Sequence, residues 1–478
     1  MINELIQYFK DKKILILGFG REGQSTYKLI RKYLKSQKLY IADKRENFQN
    51  DFSFLMEDNN ITFISGTNYL MNLKDYDIIM KSPGISFAQL DTTEILPKIK
   101  SQLELLLEFF NVQTIGITGT KGKSTTSSLI YKVLKDQDVN AMLLGNIGIP
   151  VFDYIDTLQE DTTLVLEMSS HQLEFMHHSP NIAILLNIFA EHLDHYTGFE
   201  AYAQAKCNIY KYQNKNDHFL YNIDNKTIVK FVHDLTQNSY KVSLNNQPGS
   251  QIYLKDDIVY FNGKPLYNKN EPRNLKGEYN LNNIMFVLGV SEILNLDLSK
   301  TIKSINEFKT LSHRLEFVGK YDDVLYYDNS IATIPMATIE AIKALKEVDT
   351  LIIGGMDRGI DYQEFIDYLN SDDIYSKSIS NIICMPKTGH DIAKSLDPKK
   401  IHIVETLEEA VSVSKKNTAK NKICLLSPAA ASYGFFKNFE EKGDLFQELV
   451  KKWHIRDVSF CFNCLTVEAK RNVPNVSL

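Results

Sequence analysis

Gln113-Thr114-Ile115-Gly116-Ile117-Thr118-Gly119-Thr120-Lys121-Gly122-Lys123-Ser124-Thr125 is the stretch on which the fold turns. An apolar, β-branched run enters a Gly-rich turn, and hydroxyl residues open a helical stretch behind it. A strand, a tight turn and a helix N-terminus aim backbone N–H groups at one point, where a polyphosphate can sit. In that reading Lys123 neutralises phosphate charge, and Ser124 or Thr125 holds Mg²⁺. The turn is the shorter Gly-x-x-Gly-Lys-Ser, because Ile117 stands where the eight-residue form has its first glycine. An inert Gly-rich turn can carry the same fragment, so the context has to decide.

Working outward, short β-branched runs alternate with helical periodicity along the chain: Ile14 to Leu17, Leu39 to Ala42, Ile78 to Met80, Thr114 to Ile117, Leu164 to Glu167, Ile182 to Ile188, Thr350 to Ile353, Ile382 to Met385 and Ile423 to Ser427. This is the pattern of open parallel sheets covered by helices. Such units start at Lys13, Val112 and about Leu311. The stretch from about Ser243 to Leu266 reads as a small hairpin insertion. A length of 478 residues exceeds one core and suggests roughly three domains.

An apolar share of 44% with 24% charged residues is that of a globular protein, and a net charge of −5 argues against a nucleic-acid-coating surface. Small anionic ligands held by a few lysines fit better. The 5 cysteines are odd in number and scattered, as in a reducing cytoplasm, and Cys461-Phe-Asn-Cys464 lacks the second pair a zinc site needs. No apolar run approaches the ~20 residues needed to span a bilayer, so no membrane insertion is expected. The N-terminus reads as an amphipathic helix rather than a signal peptide.

Three other clusters lie where ligands bind in open α/β sheets, at the carboxyl ends of strands. Gly18-Phe19-Gly20-Arg21-Glu22-Gly23 follows the first strand, and Asp43 closes the next. This fits a nucleotide-diphosphate site, a dehydrogenase cofactor site or a structural turn. Lys81-Ser82-Pro83-Gly84-Ile85 approaches the same edge. Glu167, ending a strand, and His192, in Glu191-His192-Leu193-Asp194-His195, are candidate Mg²⁺ ligands beside the phosphate turn. His171, His177, His178 and His195 read as structural or exposed. Gly277 to Asn283 opens a helix. Gly354-Gly355-Met356-Asp357-Arg358-Gly359 and Ser427 to Ser432 follow strands, and Arg358 is suited to clamp a carboxylate.

Taken in order, these pieces resemble the Mur ligases. The resemblance spans about residues 10 to 450 and is carried by Gly119 through Thr125, Gly145-Asn146-Ile147-Gly148, Glu167-Met168-Ser169-Ser170-His171-Gln172-Leu173-Glu174, Glu191-His192-Leu193-Asp194, His313-Arg314, and Ser427 through Phe439. It implies an α/β fold of three domains: a Rossmann-like UDP-sugar-binding domain over 1–97, a central P-loop-type ATPase domain over 98–310, and a Rossmann-like glutamate-binding domain over 311–454. A tail follows over 455–478. The implied enzyme is a cytoplasmic, monomeric ligase of peptidoglycan synthesis. It uses ATP and two Mg²⁺ sites to join D-glutamate to UDP-N-acetylmuramoyl-L-alanine through an acyl phosphate. The L-glutamate-adding variant of that reaction and a folylpolyglutamate synthase-like ligase stand as alternatives.

The resemblance also implies roles. Gly18, Gly20, Gly23, Asp43, Lys44, Arg45, Ser82, Pro83, Gly84, Asn146 and Gln172 match UDP-sugar contacts. Gly119, Thr120, Lys121, Gly122, Lys123, Ser124, Thr125, Asn283, Arg314 and Asp328 match the ATP site. Thr333, Arg358, Ser432 and Phe439 surround the incoming glutamate. Ser124, Thr125, Glu167 and His192 are metal ligands, and Lys206 matches a lysine that CO₂ carbamylates into a further one. Lys123, Lys206, His192 and Glu167 form the catalytic set. One loop departs: where glutamate-adding members usually read Asn-Asp-Ser-Lys-Ala-Thr-Asn, this chain has Asp328-Asn329-Ser330-Ile331-Ala332-Thr333-Ile334. The lysine is lost, the first two residues are exchanged, and the acid for a ribose contact is either Asp328 or absent.

Overall fold

A computed structural model describes residues 1–145, 150–191, 195–309 and 312–452. Among them are three sheets of mostly parallel strands. The first runs Ile61–Ser65, Leu39–Asp43, Ile14–Leu17, Ile78–Lys81, Ile99–Lys100 across its width. Ile14–Leu17 is buried throughout and pairs in parallel with Leu39–Ala42 on one side and Ile78–Lys81 on the other. The chain order reverses beside it, and Gly18 and Ser82 follow the two strands at that switch point, the place where open α/β sheets bind ligands.

The second sheet places Gln113–Thr118 between Thr163–Glu167 and Ile182–Leu185. The sequence reading carried the last strand to Ile188, but the chain leaves the sheet after Leu185. Leu186 N donates to Thr118 O (3.0 Å) and Thr120 N to Asn187 O (2.9 Å), so this segment serves the phosphate turn instead. The expected hairpin is a three-stranded antiparallel meander, Ile252–Lys255, Ile258–Phe261 and Lys264–Asn268, which extends this sheet at its edge. The third sheet runs Glu316–Tyr321, Val324–Asp328, Ile423–Leu426, Val348–Ile353, Asn381–Cys384, Ile401–Ile403. Val348–Ile353 is buried along its whole length, as a strand covered on both faces must be.

Two compact units result. One holds Met1–Arg273 and Tyr279–Phe308, and the other Asn274–Glu278 with the residues from Lys309 onward. In the first unit a single apolar cluster runs from the first sheet into the second, from Leu5 and Phe9 through Leu103 and Leu106 to Leu166 and Phe219. In the other, Leu351 and Ile353 pack on one face of the third sheet and Ile352 on the opposite face.

Candidate functional site

The phosphate turn leads into the helix Lys123–Lys135. Gly122 has φ +89°, and a Cβ there would lie 2.7 Å from Asn283 Oδ1, so the position requires glycine and Asn283 lies against the turn. Asn187 accepts from Lys121 N (2.8 Å) and donates to Lys121 O (3.0 Å), while Thr120 Oγ1 meets Tyr202 Oη at 2.8 Å. The loop is thus fixed from two sides. Lys121 Nζ pairs with Glu191 Oε1 at 2.8 Å.

Two lysine side-chain nitrogens converge on one acceptor. Gly119 O receives Lys123 Nζ at 2.9 Å and Lys206 Nζ at 3.0 Å. Lys206 belongs to the helix Phe199–Lys211 and is 2% exposed, with its Nζ 4.9 Å from the Tyr202 ring centre. Burial, helped by the nearby charge of Lys123, drives its pKa well below that of a free lysine. Without the resemblance it would pass for a surface lysine; the fold instead sinks it beside the turn. Glu167 is buried at the end of its strand, in register with Ile117 and Gly145 on the neighbouring strands. Its carboxylate and the hydroxyls of Ser124 and Thr125 are hard oxygen donors, a set that suits Mg²⁺.

In the first sheet, Gly18 has φ +89° and Ser82 Oγ donates to Gly18 O at 3.0 Å, so the two turns meet as expected. Asp43 accepts from Phe19 N (2.9 Å), Arg45 N (3.0 Å) and the Arg45 guanidinium. Burial alone would raise this carboxyl, yet those hydrogen bonds hold it below the usual range. Asp43 and Arg45 therefore brace the Gly-rich turn, while Lys44 and Gly84 are exposed and Pro83 is half-buried. Gln172 is a bridge: its amide donates to Glu22 Oε1 (3.1 Å), and its oxygen accepts from Ser169 N and Oγ. Lys81 is buried between Phe87 and Phe175, 3.8 Å from Glu174, and burial lowers its pKa to about 8.

In the third sheet, the loops after Ile353 and Leu426 are tied together by Gly354 N to Pro428 O (2.9 Å) and Met356 N to Ala431 O (2.8 Å). Ser432 is buried, Thr333 and Phe439 are half-buried, and Arg358 stands exposed in its loop. Asp328 differs from the expected ribose contact. It is 0% exposed and already engaged by His313 Nδ1 (2.8 Å), Ser330 N (2.9 Å) and Gln447 Nε2 (3.0 Å). The hydrogen bond with Asp328 raises the His313 pKa against the opposing effect of burial. Arg314, next to it, is half-buried.

Sequence reasoning passed over two residues. Asn187 reads as the end of a strand and is the clamp of the phosphate turn. Lys442 sits in the charged run Glu440-Glu441-Lys442-Gly443-Asp444, yet it is 1% exposed, donates from Nζ to Gly354 O (2.9 Å) and has its pKa lowered to about 7 by burial. No pattern in that run marks it. Asn146, His192 and the tail over 455–478 lie outside the described residues.

Residues 117–291 match the Mur ligase middle domain family. A UDP-N-acetylmuramoylalanine--D-glutamate ligase of Clostridium kluyveri is 30% identical over 457 residues, covering 93% of this chain and 97% of its own. One of Clostridium botulinum is 30% identical over 460 residues, covering 93% of this chain and 98% of its own. Among solved structures, the MurF ligase of Thermotoga maritima in complex with ADP shares the fold with a TM-score of 0.57 at 17% identity, over 93% of this chain and 97% of that one. The protein is an ATP-dependent ligase that forms an amide bond. It belongs to the Mur ligase family.

Proposed function

We propose that the chain adds D-glutamate to UDP-N-acetylmuramoyl-L-alanine, as the names of its 30%-identical relatives suggest. The observation that carries the ligase chemistry is the convergence of Lys123 and Lys206 on Gly119 O, which sets a lysine suited to phosphate charge beside a buried amine of lowered basicity at the phosphate turn. The substrate carboxylate attacks the γ-phosphate of ATP, giving an acyl phosphate and ADP. The neutral amine of glutamate then attacks the acyl carbon, and phosphate leaves. Bringing two anions together is the difficult part, and fixed cations in a partly dry site reduce that cost. Lys123 exchanges its two carbonyl acceptors, Gly119 O and Thr120 O, for phosphate oxygens.

Ser124, Thr125, Glu167 and His192 are the residues assigned to one Mg²⁺, which when bound supplies charge neutralisation and orients the phosphates. Lys206, buried and of low basicity, is a suitable amine for CO₂. Its nitrogen attacks the carbon, loses a proton and becomes a carbamate, an oxygen ligand for a second Mg²⁺. In the first sheet the turns carrying Gly18, Gly20, Gly23 and Ser82 are assigned to the UDP group, with Asp43 bracing the Gly-rich one. Thr333, Arg358, Ser432 and Phe439 are assigned to glutamate.

The test is phosphate release from ATP in the presence of UDP-N-acetylmuramoyl-L-alanine and each glutamate enantiomer in turn. Release with D-glutamate alone is expected. Preference for L-glutamate would favour the variant suggested by Ile331 in place of the usual lysine, and no release with either would refute the reading.

A further inference from the structure

Arg314 sits in a strained turn. His313 before it has φ +63° and Leu315 after it has φ +50°, a left-handed conformation that a buried leucine adopts only when its surroundings impose it. The surroundings do so through side chains from three places. His313 N donates to Glu316 Oε2 (2.8 Å), Leu315 N to Asn329 Oδ1 (3.2 Å), and the His313 ring is held by Asp328. Gln447, on the helix over 439–452, closes the circle by donating to both Glu316 Oε2 (2.9 Å) and Asp328 Oδ2 (3.0 Å). A single amide nitrogen thereby joins the two carboxylates that hold the turn.

The helix can come this close because of Gly443. A Cβ there would lie 2.1 Å from His313 Nδ1, 2.5 Å from Ser330 Oγ and 2.7 Å from Asp328 Oδ2. His313, Glu316 and Asp328 have ligand-type atoms within 4.8 Å of one another, and His313 Nδ1 and Asp328 Oδ2 are hydrogen-bonded at 2.8 Å. The exchanged order Asp328-Asn329 acquires a purpose: the first residue, the last of its strand, faces His313 and Gln447, and the second reaches Leu315 N.

We propose that Asp328 and Gln447 are positioning residues that lock the His313–Leu315 turn so that Arg314 is preorganised for the nucleotide. The proposal rests on the assignment of Arg314 to ATP made above. Removing the Gln447 amide leaves two neighbouring carboxylates without their shared donor and frees the turn to relax, so Arg314 loses its fixed direction before ATP arrives. The His313 ring also meets Phe439, assigned above to glutamate, edge-on with ring centres 6.3 Å apart, but the Gln447 amide nitrogen bonds Glu316 and Asp328, the two carboxylates that hold the Arg314 turn, so its loss acts first on ATP binding.

The experiment is steady-state kinetics on the full chain with Gln447→Leu, Arg314→Ala and the double variant. Gln447→Leu should raise the KM for ATP about tenfold, the scale of one hydrogen bond to a charged group. Its kcat should stay within about twofold, and the KM for glutamate should not move. In the Arg314→Ala background the same substitution should add less than about twofold, because the two act through one group. An unchanged KM for ATP in Gln447→Leu, a full additional loss on top of Arg314→Ala, or a loss confined to kcat or to unfolding temperature overturns the proposal. An Arg314→Ala enzyme with normal ATP affinity would instead refute the nucleotide assignment of Arg314, and the clamp with it. Should Gln447→Leu not fold, Gln447→Met, which keeps an unbranched stem and removes the amide, is held to the same outcomes.

Discussion

Replacing Lys442 by methionine should stabilise the C-terminal unit near neutral pH and cease to do so in alkali. The ammonium is 1% exposed and has Gly354 O as its hydrogen-bond acceptor. Burial lowers its pKa from 10.5 to about 7, with the charge of Asp328 opposing only part of the fall. Between those values the unfolded chain carries the proton and the folded chain does not, so stability rises with pH throughout that window and is flat below it. At about pH 7 the displacement corresponds to about 4 kcal/mol of lost stability. Methionine keeps most of the apolar stem, removes the titration and leaves Gly354 O without its donor, at about 1 to 3 kcal/mol. A net gain of about 1 to 3 kcal/mol is therefore expected at about pH 7, shrinking to nothing or reversing by about pH 10. Cys384 and Cys424 are buried in the same sheet, so pulse labelling of these two thiols along a urea gradient reads the midpoint of this unit alone. A gain of equal size at both pH values would show that the buried ammonium is not its source. A loss at neutral pH would show that Lys442 is held there as a needed charge.

Lys123→Ala should reduce phosphate release by about 10² to 10³, the usual effect of removing one preorganised electrostatic contact, with an unchanged circular dichroism spectrum; wild-type turnover would sink the assignment of the turn to ATP. Lys206→Ala should be nearly inactive and partly restored by added short-chain carboxylic acids standing in for a carbamate. A bare ammonium on Lys206 in a liganded, CO₂-equilibrated crystal would count against that chemistry. Arg358→Ala should raise the KM for glutamate far more than that for ATP in initial-rate measurements, and the opposite pattern would move Arg358 to the nucleotide.

The strands around which the protein is built were legible because they are covered on both faces and therefore read as unbroken apolar runs. Ile14–Leu17 is wholly of this kind, and Thr163–Glu167 and Val348–Ile353 carry such runs over 164–166 and 351–353. The phosphate turn was legible because glycine, lysine and hydroxyl residues at fixed spacing have few other reasons to occur together. Less visible were strands such as His218–Asn222 and the half-exposed Glu316–Tyr321, whose composition a loop could share. Residues whose role depends on direction stayed hidden. Asp328 and Asn329 are adjacent, and sequence does not say that the first turns inward to His313. Gln172 bonds Glu22 and Ser169, one long-range and one local partner, and only the folded chain brings the first of them to it.

The carbonyl of Gly119 ends as the point of a trade-off between stability and activity. Two lysine nitrogens share one oxygen, and keeping Lys206 buried beside Lys123 disfavours its charged form, a cost that the fold bears. The relief comes from outside: phosphate oxygens draw Lys123 away, and a carbamate would turn Lys206 from a competitor into a counter-charge. Ligands for this site therefore gain affinity from discomfort already built into the fold, and a molecule carrying two separated negative charges gains it twice. The same arrangement makes the site costly to lose by drift, because any residue that makes the empty protein more comfortable here also removes the force that gathers the reactants.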